Sequence, residues 1–332
     1  MEDAAEAAVG APVRHLGPGG VDLTNGIEVW RGGVNTWECD EMGHLNVRFY
    51  VALAVEGLTG LAAALGLPDA FRPASETTLL IRDQHIRFLR EARSRAQLHM
   101  VGGVIAMGRE EARLLQLLVH SATGEIAASF QTLVAHVTAR DARAFPWSDH
   151  TQALASRLRV EAPPQAAPRS LSFAPSISRA NATDADALGL ARLGTGAIGA
   201  QDCDVFGRMR PEMFIGRVSD GIPGLIGSMR ETVAAAAPQR PERVGGAVVE
   251  YRLLHLDWPR AGQRFEIRSG LAGVDDRTQR IVHWMLDPAT GRPWASAEAV
   301  AVSFDLDTRK VIPIADDARA QLTANLTPGL TL

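Results

Sequence analysis

The chain has 332 residues, 46% apolar and 22% charged, with 34 basic against 38 acidic side chains and a net charge of −4. This length suits two domains of about 150 residues, each large enough to bury a core without disulfides or metals. The balanced charge provides no field favouring nucleic acid or an anionic membrane surface.

Residues 1–24, which begin MEDAAEAAVGAPVRHLGPGG, lack a basic start, an apolar core and a cleavage pattern, and read as a flexible leader rather than a signal peptide. A strand is expected at Ile27–Val34, then a Gly-containing turn, then an apolar helix over about Arg48–Leu65, ended by Gly66-Leu67-Pro68. Its apolar faces imply a helix wrapped by other structure. Four β-branched-rich segments follow, Thr77–Leu89, Ala96–Met107, Ala112–Ser121 and Glu125–Thr138, in the pattern of an antiparallel meander.

Residues 141–170 are Pro/Ala-rich, include EAPPQAAP, and read as a linker with a short helix at Thr151–Leu158. The same order of elements then recurs. A strand is expected at Ala197–Asp202, a helix over about Pro211–Met229, and strands at Gly246–Leu256, Gln263–Leu271, Gln279–Leu286 and Trp294–Phe304. Pro211 suits the first helical turn, where its missing N–H is not needed. Residues 311–332 read as a loosely attached tail. The domains are thus expected at 25–140 and 171–310.

No apolar run approaches the roughly 20 residues needed to cross a bilayer, so a cytoplasmic location without membrane attachment is expected. The two cysteines, Cys39 and Cys203, fall at equivalent places and are expected to be small buried side chains at matching strand ends, not a disulfide pair. No CxxC, HExxH or His-x-His occurs among the nine histidines, so neither a metal site nor a resident cofactor is expected. Gly194-Thr195-Gly196-Ala197-Ile198-Gly199 satisfies the dinucleotide pattern GxGxxG, but it leads into a strand and the DCDVFG turn instead of opening a helix.

The strongest signal is internal repetition. CDEMGHLNVRFYVALAVEGLTGL (39–61) aligns without a gap with CDVFGRMRPEMFIGRVSDGIPGL (203–225), at a spacing of 204 − 40 = 164 residues. Cys, Asp, three Gly and a Leu recur, and Glu56 falls opposite Asp220. His44 and Asn46, however, become Arg208 and Arg210.

Asp40, Gly43, His44 and Asn46, followed by Phe49-Tyr50 and Glu56, resemble the D-x-x-G-H-x-N signature of the 4-hydroxybenzoyl-CoA thioesterase type. With the duplicated order of elements, the whole resembles the double-hotdog acyl-CoA thioesterases. The resemblance implies an α+β fold, a tandem hotdog in which each half is an antiparallel sheet wrapped around a long central helix. It also implies a thioester hydrolase whose acidic residue, here Asp40, acts as nucleophile or general base. The substrate would be an acyl-CoA or acyl carrier protein thioester, with coenzyme A part of the substrate. A homodimer is a further expectation from the relatives.

Thioester hydrolysis needs a group that attacks the carbonyl or activates water, and donors for the developing oxyanion. Asp40 supplies the first. Val47 and Arg48, at the helix start, would turn backbone N–H groups and the positive helix end toward the carbonyl. Gly43 allows close backbone approach. His44 and Asn46 would orient water or the thioester, with Glu56 a second acid facing the site.

Plainer readings compete. Asp40 and Asp204 could cap their helices, and Glu56 and Asp220 could pair with basic groups between the halves. Arg208 and Arg210 cannot accept a proton at neutral pH. They would bind an acidic substrate group or the phosphates of coenzyme A, or form ion pairs with Asp204 or Glu212, so the second copy reads as a degenerate site.

Arg87, Arg90, Arg93 and Arg95, in RFLREARSRAQ, could bind the phosphates of coenzyme A or form a solvated rim. Two other functions fit the resemblance: an enoyl or 3-hydroxyacyl thioester hydratase or dehydratase, and a non-catalytic acyl-CoA-binding protein.

Overall fold

The structure, a computed structural model, describes residues 23–332. The expected leader therefore lies outside the described residues, apart from Leu23 and Thr24. The chain divides into two compact units. One runs to Ala167 and includes Asp204–Phe206; the other holds Pro168–Cys203 and Gly207–Leu332.

The first unit consists of β1 (Ile27–Gly33), α1 (Val47–Ala64), β2 (Thr77–Phe88), β3 (Gln97–Met107), β4 (Glu111–His120), β5 (Ile126–Thr138) and α2 (Asp149–Arg157). Its strands pair antiparallel in the order β1-β3-β4-β5-β2. The expected four-strand meander is therefore only three strands long. β2 lies beyond β5, and the connection Leu89–Ala96 crosses the sheet end to reach β3. Leu89 and Arg90 donate to the Ala127 carbonyl at 2.8 and 3.1 Å on the way, which replaces the ladder bonds that a tight hairpin would have formed.

α1 is long and apolar enough to cross a bilayer by length and composition alone, contrary to the expectation that no run approaches that length. Half of it is buried, with Val51, Leu58 and Leu61 against the sheet, and the helix packs on β1, β3 and β4. Gly60 permits this approach: a Cβ there would stand 2.6 Å from the Val29 carbonyl oxygen. Gln116 of β4 donates to the Ala54 carbonyl at 2.8 Å, satisfying a buried amide against the helix.

The second unit repeats this plan with α3 (Ala182–Ala187), β6 (Ala191–Ala197), α4 (Pro211–Gly221), α5 (Pro223–Ala235), β7 (Val244–His255), β8 (Arg264–Val274), β9 (Gln279–Leu286), β10 (Pro293–Asp305) and α6 (Asp316–Ala324). Its order, β6-β8-β9-β10-β7, is that of the first unit. Elements ahead of the helix recur at 191 − 27 = 164 residues, and those from β2 onward at 244 − 77 = 167. Three extra residues thus lie between the helix and β7.

Several expectations are corrected here. The strand placed at Ala197–Asp202 is Ala191–Ala197, and a 3-10 turn occupies Ala200–Asp202. The glycine-rich segment is therefore largely strand, where the glycines themselves hid the signal. The helix expected over about Pro211–Met229 is two helices, because Pro223 has no N–H to continue the ladder.

The stretch 141–170 is no free linker. Arg159 bridges to Val104, and Val160 and Ala166 are buried in a cluster with Val101, Leu115 and Leu117. Nor is 311–332 a loose tail. Ile312, Ile314, Ala318 and Leu322 are buried, and Trp284 donates to the Thr331 carbonyl at 3.1 Å. α2 and α6 stand 316 − 149 = 167 residues apart, so they are one repeated element.

Cys39 and Cys203 are not joined in a disulfide and lie half-buried at the ends of 3-10 turns rather than at strand ends, each thiol 3.5 Å from the carbonyl four residues back.

Candidate active site

The chain enters the first of the two repeated turns through a 3-10 turn at Thr36–Glu38. The Asn35 amide donates to Glu38 Oε2 at 2.7 Å and the Glu38 amide to the Asn35 carbonyl at 3.1 Å, so both ends are closed. The chain then reverses. Asp40 donates its amide to the His44 carbonyl at 2.7 Å, Gly43 donates to the Asp40 carbonyl at 3.0 Å, and Cys39 pairs with Leu45. Gly43 sits at φ +75°, a conformation a side chain would strain.

Asp40 holds this turn by one oxygen. Its Oδ1 accepts from the Met42 amide at 2.9 Å and the His44 amide at 3.1 Å. Oδ2 has no hydrogen-bond partner among the described residues. The carboxylate is thereby oriented and keeps an oxygen for chemistry. Asp40 does not cap α1. Asn46 does, at the N-cap, accepting from the Arg48 amide at 3.0 Å, and so the expected capping role falls on Asn46.

His44 is buried, with Nε2 3.2 Å from Glu91 Oε2 but off the line of a good hydrogen bond. Glu91 was not among the expected site residues. It lies in the arginine-rich crossing Leu89–Ala96, which is stitched to the turn: Leu45 donates to the Ala92 carbonyl at 2.7 Å, and His44 bridges to Arg93. The Ala92 amide donates to the Tyr50 hydroxyl at 3.2 Å, and the Tyr50 ring stands edge-on to Phe88 at 5.2 Å. Burial first, then the nearby negative groups Glu91 and Asp40, push that hydroxyl up to about 12, so it stays neutral. Burial and then the Asp40 charge also push the Cys39 thiol up, away from the thiolate a cysteine nucleophile requires.

The remaining expected residues are less gathered. Glu56 is exposed on α1 and accepts from the Trp30 indole at 2.6 Å; its partner belongs to β1 rather than to a basic group between the halves. Arg48 lies over the Phe49 ring at 5.4 Å. Arg87 donates to the Ala167 carbonyl at 3.1 Å, and Arg90 pairs with Glu125 at 3.1 Å. Arg93 and Arg95 are exposed, and Arg95 adopts φ +72°.

The second turn has the same backbone. Gly207 has φ +75°, Cys203 pairs with Met209, Arg208 bridges to Arg260, and Asp204 Oδ1 accepts from the Phe206 amide at 2.9 Å. The side chains differ. Arg208 is buried, and Arg210 pairs with Glu212 at 3.1 Å while reaching the Gln201 carbonyl. Asp220 pairs within its own helix with Arg217 at 3.6 Å. The counterparts of Tyr50 and Glu91 are Phe214 and Trp258; both pack against His255 at 4.7 Å. A Cβ on Gly207 would meet the Arg260 guanidinium at 3.5 Å, whereas one on Gly43 would meet nothing within 4 Å. The first turn is open where the second is covered.

Among the described residues, no group of three His, Cys, Asp or Glu is placed to hold a metal ion.

No curated protein matches the chain by sequence. The fold is similar to that of the 12:0-ACP thioesterase from Umbellularia californica, with a TM-score of 0.63, 13% identity, and coverage of 85% of this chain and 95% of that one. An acyl-ACP thioesterase from Bacteroides thetaiotaomicron is similar with a TM-score of 0.59 and 10% identity, over 83% of this chain and 98% of that one. At such identities the likeness is one of fold, a two-repeat, hotdog-like fold. The family model for the thioesterase-like superfamily matches residues 34–154 and again 198–322, taking in both turns. The duplicated chain belongs to the thioesterase-like superfamily.

Proposed function

We propose that this protein hydrolyses an acyl thioester to a carboxylic acid and a free thiol at one site, the Asp40 turn of the first unit. The observation that carries the reading is the Asp40 carboxylate: Oδ1 is fixed by two amides, Oδ2 is unengaged among the described residues, and the turn ahead of it is open at Gly43.

In this reading α1 is the central helix of a hotdog unit, which its burial on β1, β3 and β4 supports. The thioester carbonyl lies at the helix N-terminus. Asn46 already engages the Arg48 amide, so the Val47 amide ahead of it is assigned to the carbonyl oxygen, where it would meet the charge that develops. Asp40 Oδ2 either draws a proton from water as water attacks, or attacks the carbonyl itself to give an anhydride that water then opens. His44, braced by Glu91, positions the turn and its water. The leaving thiolate takes a proton as the acid forms. Label found in Asp40 after a single turnover in ¹⁸O water would establish direct attack with the anhydride opened at the Asp40 carboxyl carbon, since the general-base route labels the product acid alone.

A panel of acyl-CoA and acyl carrier protein thioesters, read by free-thiol release, tests the reading. Turnover of at least one acyl class is expected. Failure to release thiol from any acyl length or aromatic acyl group would overturn it.

A further inference from the structure

Trp37 is the one aromatic residue among the large hydrophobics that the described residues leave exposed, at 77%. It stands on the 3-10 turn that leads into Asp40, and that turn is rigidly held. Beyond its own closure by Asn35 and Glu38, Thr36 Oγ1 hydrogen-bonds Ser94 Oγ at 2.9 Å, and Arg95 donates its amide to the Val34 carbonyl at 2.8 Å. Trp37 thereby stands on a turn bonded to the segment that carries the exposed residues Arg93 and Arg95. Among the described residues neither guanidinium has an ion-pair partner, whereas Arg90 is paired with Glu125. Of the carboxylates closest in the chain, Glu38 accepts from the Asn35 amide and Glu91 Oε2 lies 3.2 Å from His44 Nε2.

The second unit shows what this arrangement looks like without its side chains. The backbone bond recurs, Gly262 donating to the Ile198 carbonyl at 2.9 Å. Thr36, Trp37, Ser94 and Arg95 are replaced there by Ala200, Gln201, Ala261 and Gly262. Gly262 sits at φ +86° and Arg95 at φ +72°, so both positions demand the left-handed conformation. Glycine adopts it freely; arginine holds it at a cost of about 1 kcal/mol. The first unit keeps a strained cation, an exposed indole and the hydroxyl pair that fixes them. All four side chains are absent from the copy whose turn is covered.

We propose that Trp37, Arg93 and Arg95 form a docking platform for the nucleotide end of coenzyme A, with the adenine stacked on the indole and the phosphates held by the two guanidinium groups. An aromatic face and unpaired arginine forks are the chemistry that a phosphorylated purine recognises. The platform deepens the thioester reading and rests on it for the substrate. It makes the protein selective for acyl-CoA over thioesters that lack the nucleotide, those of a carrier protein included.

The test uses adenosine 3′,5′-bisphosphate, the nucleotide without the thiol arm, titrated calorimetrically into the full-length protein. Wild type is expected to bind it, and Trp37→Ala to weaken binding by about tenfold. Arg95→Gly, which installs the residue that already holds this conformation in the second unit, is expected to weaken binding similarly and to leave the melting temperature unchanged or higher. Gln201→Ala at the matching place in the second unit is expected to change nothing. In parallel, kcat/KM for an acyl-CoA is expected to exceed that for the same acyl pantetheine in wild type, and the difference to shrink in both first-unit variants. Absent binding, or equal binding by wild type, Trp37→Ala and Arg95→Gly, overturns the platform. Bisphosphate binding that depends on Trp37, without hydrolysis of any thioester, supports the platform and overturns the hydrolase reading. Hydrolysis that is indifferent to the nucleotide does the reverse.

Discussion

The two turns, Asp40–His44 and Asp204–Arg208, have one backbone and two chemistries. Both place glycine at φ +75° and both pair the residue after the glycine with the crossing that follows the next strand. In the first unit that frame carries Asp40, His44 and Glu91, with the glycine open. In the second it carries Arg208, an Arg210–Glu212 pair and the packed aromatics Phe214 and Trp258, with the glycine under Arg260. Backbone geometry is set by glycine conformation, ladder bonds and the retained Asp, so it survives exchange of His44, Asn46 and Glu91 for Arg208, Arg210 and Trp258. The comparison teaches that the repeat conserves a scaffold, while the site lives in a few replaceable groups.

The comparison breaks most visibly if the first turn is given the second turn's side chains. His44→Arg with Asn46→Arg is expected to cost at least about a hundredfold in kcat toward any thioester the wild type turns over. Loss of the Asn46 cap should lower stability by only about 1 kcal/mol, which denaturant unfolding can check.

Next in size is a packing difference. Gly60→Ala would drive a Cβ to within 2.6 Å of the Val29 carbonyl, whereas Gly224, its repeat equivalent, has nothing within 4 Å. Gly60→Ala is expected to destabilise by about 2 kcal/mol, and Gly224→Ala to be neutral or stabilising by up to about 1 kcal/mol. Equal effects in urea unfolding would mean that the two helices do not sit on their first strands as described.

A smaller, pH-dependent effect separates Gln116 from its counterpart His283. His283 is buried, 2.7 Å from Ser269 Oγ, and burial pushes its pKa down from 6.5 to about 3. Between those values the unfolded chain binds a proton that the folded chain does not, so this contribution to stability is whole above pH 6.5 and is lost progressively as pH falls toward 3. Burial also lowers His99 and His136 in the first unit, so acid weakens both. His283→Gln, borrowing the first unit's residue, is expected to flatten the acid limb of a melting-temperature profile by one proton's worth and to leave the neutral value little changed. An unaltered acid limb would sink the assignment.

Much of this fold was readable because local rules govern it. Alternation, turn residues and the repeat placed the eight strands after the helices to within three residues at either end, and Gly43 and Gly207 marked both turns. What escaped depends on distant partners. β2 lies beside β5 because of register across the whole sheet, which no local pattern announces. Residues 141–170 and 311–332 read as peripheral because their buried residues follow no regular period, Trp147, Ala155, Leu158, Val160 and Ala166 in one and Ile312, Ile314, Ala318, Leu322 and Leu330 in the other. The break at Pro223 is masked in the sequence because apolar residues continue on both sides of it. At the site, Asp40 and His44 stood in a motif, but Glu91 was hidden in a run that reads as basic, and its contact with His44 spans 91 − 44 = 47 residues. The partner of Glu56 is hidden for the same reason: Trp30 is brought to it by the docking of α1 on β1.

The central claim is that one turn of two performs the chemistry. Thioester hydrolysis by Asp40→Asn and Asp204→Asn, measured side by side against wild type, tests it most directly. The account predicts that Asp40→Asn loses about a thousandfold in kcat with its fold intact, while Asp204→Asn stays close to wild type. Full activity in Asp40→Asn, or equal losses in both variants, would contradict it.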